Sequence, residues 1–137
     1  MTTRLNPYIS FRDNAREAMD FYQSVFGGEL TRSTFGEMHA SEDPAEQSKV
    51  MHSMLVTDGL ALMAADTPSG MDVTPGTNIS ISLSGEDDAE LRGYWERLSK
   101  GANITMPLEP APWGDSFGML TDRFGIAWMV NIAGAAA

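Results

Sequence analysis

The chain reads as an α+β protein made of two copies of a strand–helix–strand–strand–strand unit. Two internal echoes carry that reading. The segment Asn6-Pro-Tyr-Ile-Ser-Phe-Arg-Asp-Asn-Ala-Arg-Glu-Ala-Met-Asp-Phe-Tyr22 returns seventy-two positions later, so that Asn6, Ile9, Ser10, Phe11, Met19 and Tyr22 meet Asn78, Ile81, Ser82, Leu83, Leu91 and Tyr94. Val56-Thr-Asp-Gly-Leu-Ala-Leu-Met63 returns as Leu120-Thr-Asp122 and Gly125-Ile-Ala-Trp-Met129, with Arg123-Phe124 inserted. Two echoes in the same order define repeated supersecondary units. Module one covers about 4–66, the linker 67–77, and module two about 78–132 of a single 137-residue domain.

Each element has a local reason. Residues 1–5 and 133–137 are end segments. Asn6–Phe11 alternates, with Pro7, Ile9 and Phe11 on one face and Asn6, Tyr8 and Ser10 on the other. In the copy, Ile79, Ile81 and Leu83 oppose Asn78, Ser80 and Ser82. One side of each strand suits a helix and the other suits water or a ligand.

A helix follows each strand. Asn14 with Glu17, and Asp87 with Glu90, have the spacing of capping boxes. Ala18, Met19, Tyr22, Val25 and Phe26 form the first buried stripe; Leu91, Tyr94, Trp95 and Leu98 form the second. Gly27-Gly28 and Gly101 end the helices.

Strands are expected at Glu29–Phe35 and Asn103–Met106. The polar stretch Gly36–Ser48 reads as a mobile loop. Val50–Asp58 and Leu60–Asp66 form a hairpin about Asp58-Gly59. Thr67–Thr77, with two prolines and two glycines, is the linker. Phe117–Thr121 and Ile126–Ile132 form the second hairpin. Helices then cover one face of mostly antiparallel sheets, and the polar alternates leave the other face free to form a groove.

Composition narrows the function classes. The net charge is −10, a field that repels phosphate backbones and favours cations, so nucleic acid is not an expected partner. No cysteine is present, which removes disulfides, thiolate metal sites and a Cys nucleophile. No basic start leads into an apolar run, and no stretch approaches a membrane span. A cytoplasmic protein without membrane partners is expected.

The motifs resemble a known superfamily. Asn6-Pro-Tyr-Ile-Ser-Phe, Ala15-Arg-Glu-Ala-Met-Asp-Phe-Tyr22, Phe26-Gly-Gly28, Met51-His-Ser-Met54, Pro112-Trp-Gly-Asp-Ser-Phe-Gly118 and Thr121-Asp-Arg-Phe-Gly-Ile-Ala-Trp128 are similar to vicinal oxygen chelate proteins, the glyoxalase, bleomycin-resistance and dioxygenase superfamily, and to its PhnB-like branch. The resemblance implies a glyoxalase-like fold in which two βαβββ modules form a cup-shaped half-barrel, and chains that pair as homodimers.

Metal-dependent members hold one divalent ion with His and Glu side chains on a first strand, an inner strand and a last strand. This chain departs from that set. The first strands offer Asn6 and Asn78, and the position of the last-strand carboxylate holds Met129, with Met63 its counterpart in module one. A thioether is a poor ligand for Mg, Mn, Zn or Ni. His52 is the one remaining donor of the right kind, and alternation leaves its direction open; His39 falls in the loop. No metal and no cofactor are expected. PhnB-like proteins have carried a ubiquinone methyltransferase label, but no Gly-rich strand–turn–helix for a nucleotide-type cofactor is present, so methyl transfer is not expected.

The candidate ligand-binding residues are Tyr8, Ser10, His52, Met63, Asp66, Ser80, Trp113, Asp115, Phe117 and Met129, with Ser82 and Asn131 beside them. Apolar surface with a few hydroxyls, amides and carboxylates is how small-molecule sites are built. Two functions stay open. One is metal-independent binding of a cationic or aromatic compound by a homodimer. The other is a metal-assisted lyase, isomerase or transferase with non-standard ligands, in which His52 works with Asp66 or Asp115.

Overall fold

The computed structural model describes residues 3–134. They fall into two compact units, one through Pro75 and one from Gly76. Each carries a four-stranded mixed sheet with a helix on one face, the α+β two-module architecture.

In module one the elements are β1 (Tyr8–Phe11), α1 (Ala15–Phe26), β2 (Glu29–Thr34), α2 (Pro44–Gln47), β3 (Val50–Thr57) and β4 (Leu60–Asp66). The sheet order is β1-β4-β3-β2, with β1 parallel to β4 and the other pairs antiparallel. Helix α1 buries Ala15, Ala18, Met19, Tyr22, Val25 and Phe26. Phe11, Val50, Leu55, Leu62 and Ala64 supply the sheet side of that core. Gly28 takes φ +88°, and a Cβ there would lie 2.4 Å from the Val56 carbonyl oxygen, so the strand crossing requires glycine.

Module two repeats the plan with β5 (Ile81–Gly85), α3 (Asp88–Leu98), β6 (Asn103–Pro110), β7 (Ser116–Thr121) and β8 (Ala127–Ile132) in the order β5-β8-β7-β6. Again β5 runs parallel to β8 and the rest are antiparallel. Its core is Leu91, Trp95, Leu98, Leu120, Trp128, Val130 and Ile132.

Several local expectations change. Strand β5 begins at Ile81, leaving Asn78, Ile79 and Ser80 ahead of it. Continuing the β5–β8 register would set them against 125–127, next to the turn in which the Asp122 carboxylate accepts from the amides of Phe124 and Ile126. Tyr94 is half-buried rather than core. Its hydroxyl donates to Glu90 at 2.6 Å. Partial burial, followed by that carboxylate, pushes its pKa up to about 12.

The Gly36–Ser48 stretch is more ordered than a plain loop. Asp43 caps the short helix α2 by accepting from the Ala45 amide, with Pro44 at its first position. Backbone hydrogen bonds from Phe35 N–H to the Lys49 carbonyl and from Gly36 N–H to the Gln47 carbonyl close the stretch at its two ends. Lys49 bridges Asp13 at 2.8 Å and Glu46 at 3.0 Å. Of the end segments, 1–2 and 135–137 lie outside the described residues; the Ala133 and Gly134 amides donate hydrogen bonds to the Gly85 carbonyl and the Asp115 carboxylate.

Candidate functional site

Strand register decides which side chains share a face. In module one Tyr8 lies beside Met63, Met63 opposite Met54, and Met54 opposite Thr31. One step along the strands, Ser10 lies beside Ala65 and His52 opposite Ser33. Aligned residues point the same way. The helix side takes the alternates Ile9, Phe11, Leu55, Leu62 and Ala64. Tyr8, Ser10, His52, Met54 and Met63 therefore lie on the face turned away from α1. The Tyr8 and His52 rings confirm it, with centroids 5.9 Å apart at 36°. The structure thus supplies the direction of His52 that alternation left open.

Asp66 is corrected. It points to the helix side and is 4% exposed. One carboxylate oxygen accepts from the Ala15 amide at 2.9 Å and the other from the Val50 amide at 2.8 Å. A buried carboxylate spent on two backbone donors fixes the fold and is not aimed at a ligand. It also cannot partner His52, which faces the other way.

In module two the matching rows are Ser82, Met129, Met119 and Met106, then Ser84, Asn131 and Phe117. They lie on the side turned away from α3, since Trp128, Val130 and Leu120 alternate onto the other. Trp113, 60% exposed, meets Phe117 edge-on, with centroids 5.5 Å apart at 66°. Its indole N–H points to the Asn131 carbonyl oxygen at 3.4 Å. The Asn131 amide donates to Asp115 at 2.9 Å. Asp115 also accepts from the Gly134 amide at 2.9 Å. Those two donors, Asn131 first, hold its carboxyl below the usual carboxylate range. The loop is pinned closely; a Cβ on Gly134 would lie 2.0 Å from the Gly114 carbonyl oxygen.

So the structure gathers Tyr8, Ser10, His52 and Met63 on one face of module one. It gathers Trp113, Asp115, Phe117 and Met129 on one face of module two. Ser80 precedes β5 and belongs to neither strand row. Met54 and Met119 complete the rows and were not singled out from sequence. Each stands two residues beyond a named candidate, His52 and Phe117, and only the face assignment makes them neighbours of Met63 and Met129.

The donor set does not fit the superfamily's divalent ion. Met63 and Met129 offer thioethers, which are poor ligands for Mg, Mn, Zn or Ni; module one adds only the His52 imidazole to its row and module two only the Asp115 carboxylate, already bonded to Asn131 and Gly134. Among the described residues no three His, Asp or Glu side chains come together as a metal cluster.

Residues 3–131 match the model of the family described as 3-demethylubiquinone-9 3-methyltransferase. The chain belongs to this family. It is similar to protein PA1353 of Pseudomonas aeruginosa, with 38% identity, a TM-score of 0.83, and 98% of this chain and 100% of that one covered. The PhnB protein of Bacillus cereus shares the fold at 24% identity and a TM-score of 0.74, over 96% and 100% of the two chains. A glyoxylase/bleomycin resistance protein/dioxygenase domain from Frankia sp. EAN1pec shares it at 20% identity and a TM-score of 0.68, over 100% and 96%. The fold is therefore the one seen in solved PhnB and glyoxylase/bleomycin-resistance/dioxygenase structures. None of the described helices is long and apolar enough to cross a membrane.

Proposed function

We propose that this PhnB-like chain binds a small aromatic or cationic organic molecule without a divalent metal, and acts by holding it rather than by transforming it. The observation that carries the reading is the make-up of the faces turned away from the helices. Each pairs an aromatic contact, Tyr8–His52 or Trp113–Phe117, with opposed methionines and a few hydroxyls or amides. Aromatic faces attract cations, and methionine adapts to varied shapes. The net charge of −10 raises the local concentration of a cationic ligand. The proposal includes a homodimer in the cytoplasm.

Methyl transfer, which the family's description names, is not assigned. The strand-to-helix turns read Arg12-Asp13-Asn14 and Gly85-Glu86-Asp87. A single glycine followed by two carboxylates is a poor cradle for a nucleotide cofactor.

The test is a thermal-shift screen of aromatic cations with EDTA present, followed by titration calorimetry and light scattering. Hits that raise the melting temperature of a dimer, and that weaken by about 1 kcal/mol on Tyr8→Ala or Trp113→Ala, support the proposal. Binding or turnover that appears only with added Mn(II) or Zn(II) would replace it with the metal-assisted lyase, isomerase or transferase reading, in which His52 is a ligand or base.

A further inference from the structure

We propose that module one carries a soft-metal site, made by the thioethers of Met54 and Met63 and the imidazole of His52, that takes a monovalent ion of the Cu(I) or Ag(I) type. Met54 and Met63 are directly opposed across the β3–β4 pair. Opposed residues in an antiparallel pair place their Cβ atoms about 4.5–5.5 Å apart, within reach of two flexible thioethers converging on one ion. His52 stands two residues before Met54 on the same face, diagonal to Met63. Its ring packs against Tyr8, which restricts where its nitrogens point. All three donors are half-buried, so water is partly excluded.

The chemistry of the set selects the ion. Two thioethers and one imidazole are soft, neutral ligands, and thioethers favour Cu(I) over hard divalent ions. With no carboxylate in the set there is nothing to neutralise a second charge. Two thioethers and an imidazole without a carboxylate therefore suit a monovalent soft cation better than a divalent one.

Module two is an internal control. Met119 and Met129 are opposed in the same way, and Phe117 stands two residues before Met119 on the same face. It has the sulfur pair without the nitrogen, so the tighter site belongs to module one.

This site uses the same module-one face as the organic-ligand reading but is read with a different probe, so each can fail alone. The probe is Ag(I), which needs no reductant, titrated into the full chain in chloride-free buffer. Calorimetry and methyl NMR of labelled methionines follow the binding. The expected result is one tight equivalent per chain, with the Met54 and Met63 methyls shifting first. His52→Phe, which copies module two, weakens it by at least about tenfold, and Met63→Leu does the same. Leucine conserves the volume, and the remaining methionine signals report whether the variants stay folded. No saturable binding, equal affinity in both folded variants, or shifts confined to the exposed Met38, Met71 and Met106 would overturn the proposal.

Discussion

Helix α1 starts on a carboxylate delivered from another strand, whereas α3 starts on its own. In module one the Ala15 amide is taken by Asp66, fifty-one positions away at the end of β4. Asn14, the residue with the right spacing, makes no side-chain cap; its backbone is at φ −124°, ψ 21°, outside the extended region that aims a capping side chain. Asp13 before it lies at φ +69°. In module two Asp87 is extended and accepts from the Glu90 amide at 3.0 Å. Module two spends its buried carboxylate elsewhere. Asp122, 4% exposed, holds the β7–β8 turn and accepts from the Trp128 indole at 2.8 Å. Two units with one plan thus use buried charge for different joints: helix to sheet in the first, turn to core in the second.

That difference can be broken where it is largest. Asp66→Ala leaves the buried amides of Ala15 and Val50 without partners and should cost about 3 kcal/mol or more, read as a lower urea midpoint. A loss below about 1 kcal/mol would show that Asp66 does not join α1 to the sheet. The helix starts sharpen the comparison with a smaller effect. Asp87→Ala should cost about 1 kcal/mol, while Asn14→Ala should stay within about 0.5 kcal/mol. Equal losses would restore the symmetric pair of caps.

The smallest effect is electrostatic and belongs to module two alone. Asp115 is held below the usual carboxylate range by Asn131 and Gly134. A depressed carboxyl contributes stability that is present above its unfolded pKa and lost as pH falls through the folded one. The Trp113 loop should therefore loosen below about pH 4. Tryptophan fluorescence in Asn131→Ala, where the first of the two donors is gone, should show the same change at higher pH.

The open faces invite the same comparison. Both have an opposed methionine pair, and both have an aromatic contact beside it. They differ at one matching position, His52 against Phe117. A substitution that exchanges these residue types tests whether the modules differ in ligand chemistry or only in shape.

The sequence by itself determined the two-module plan, the two long helices, the hairpins and the buried stripe of α1. Those follow from local periodicity and turn chemistry, which a repeat states twice. It also determined that cysteine is absent and that there are only two histidines, since that depends on residue types alone. Only the tertiary structure decided that Asp66 belongs to the core, because its two partners are fifty-one and sixteen residues distant. It decided the direction of His52 as well. In Val50-Met-His-Ser-Met-Leu, where Val50, Ser53 and Leu55 are buried, the register with β2 shifts between Ser33 and Thr34, so that Met51 stands as an extra residue between the paired Val50 and His52. Alternation over a bulged edge does not fix a face; the Tyr8 ring and the opposed Met63 do, and both come from strands that meet β3 only when the sheet is assembled.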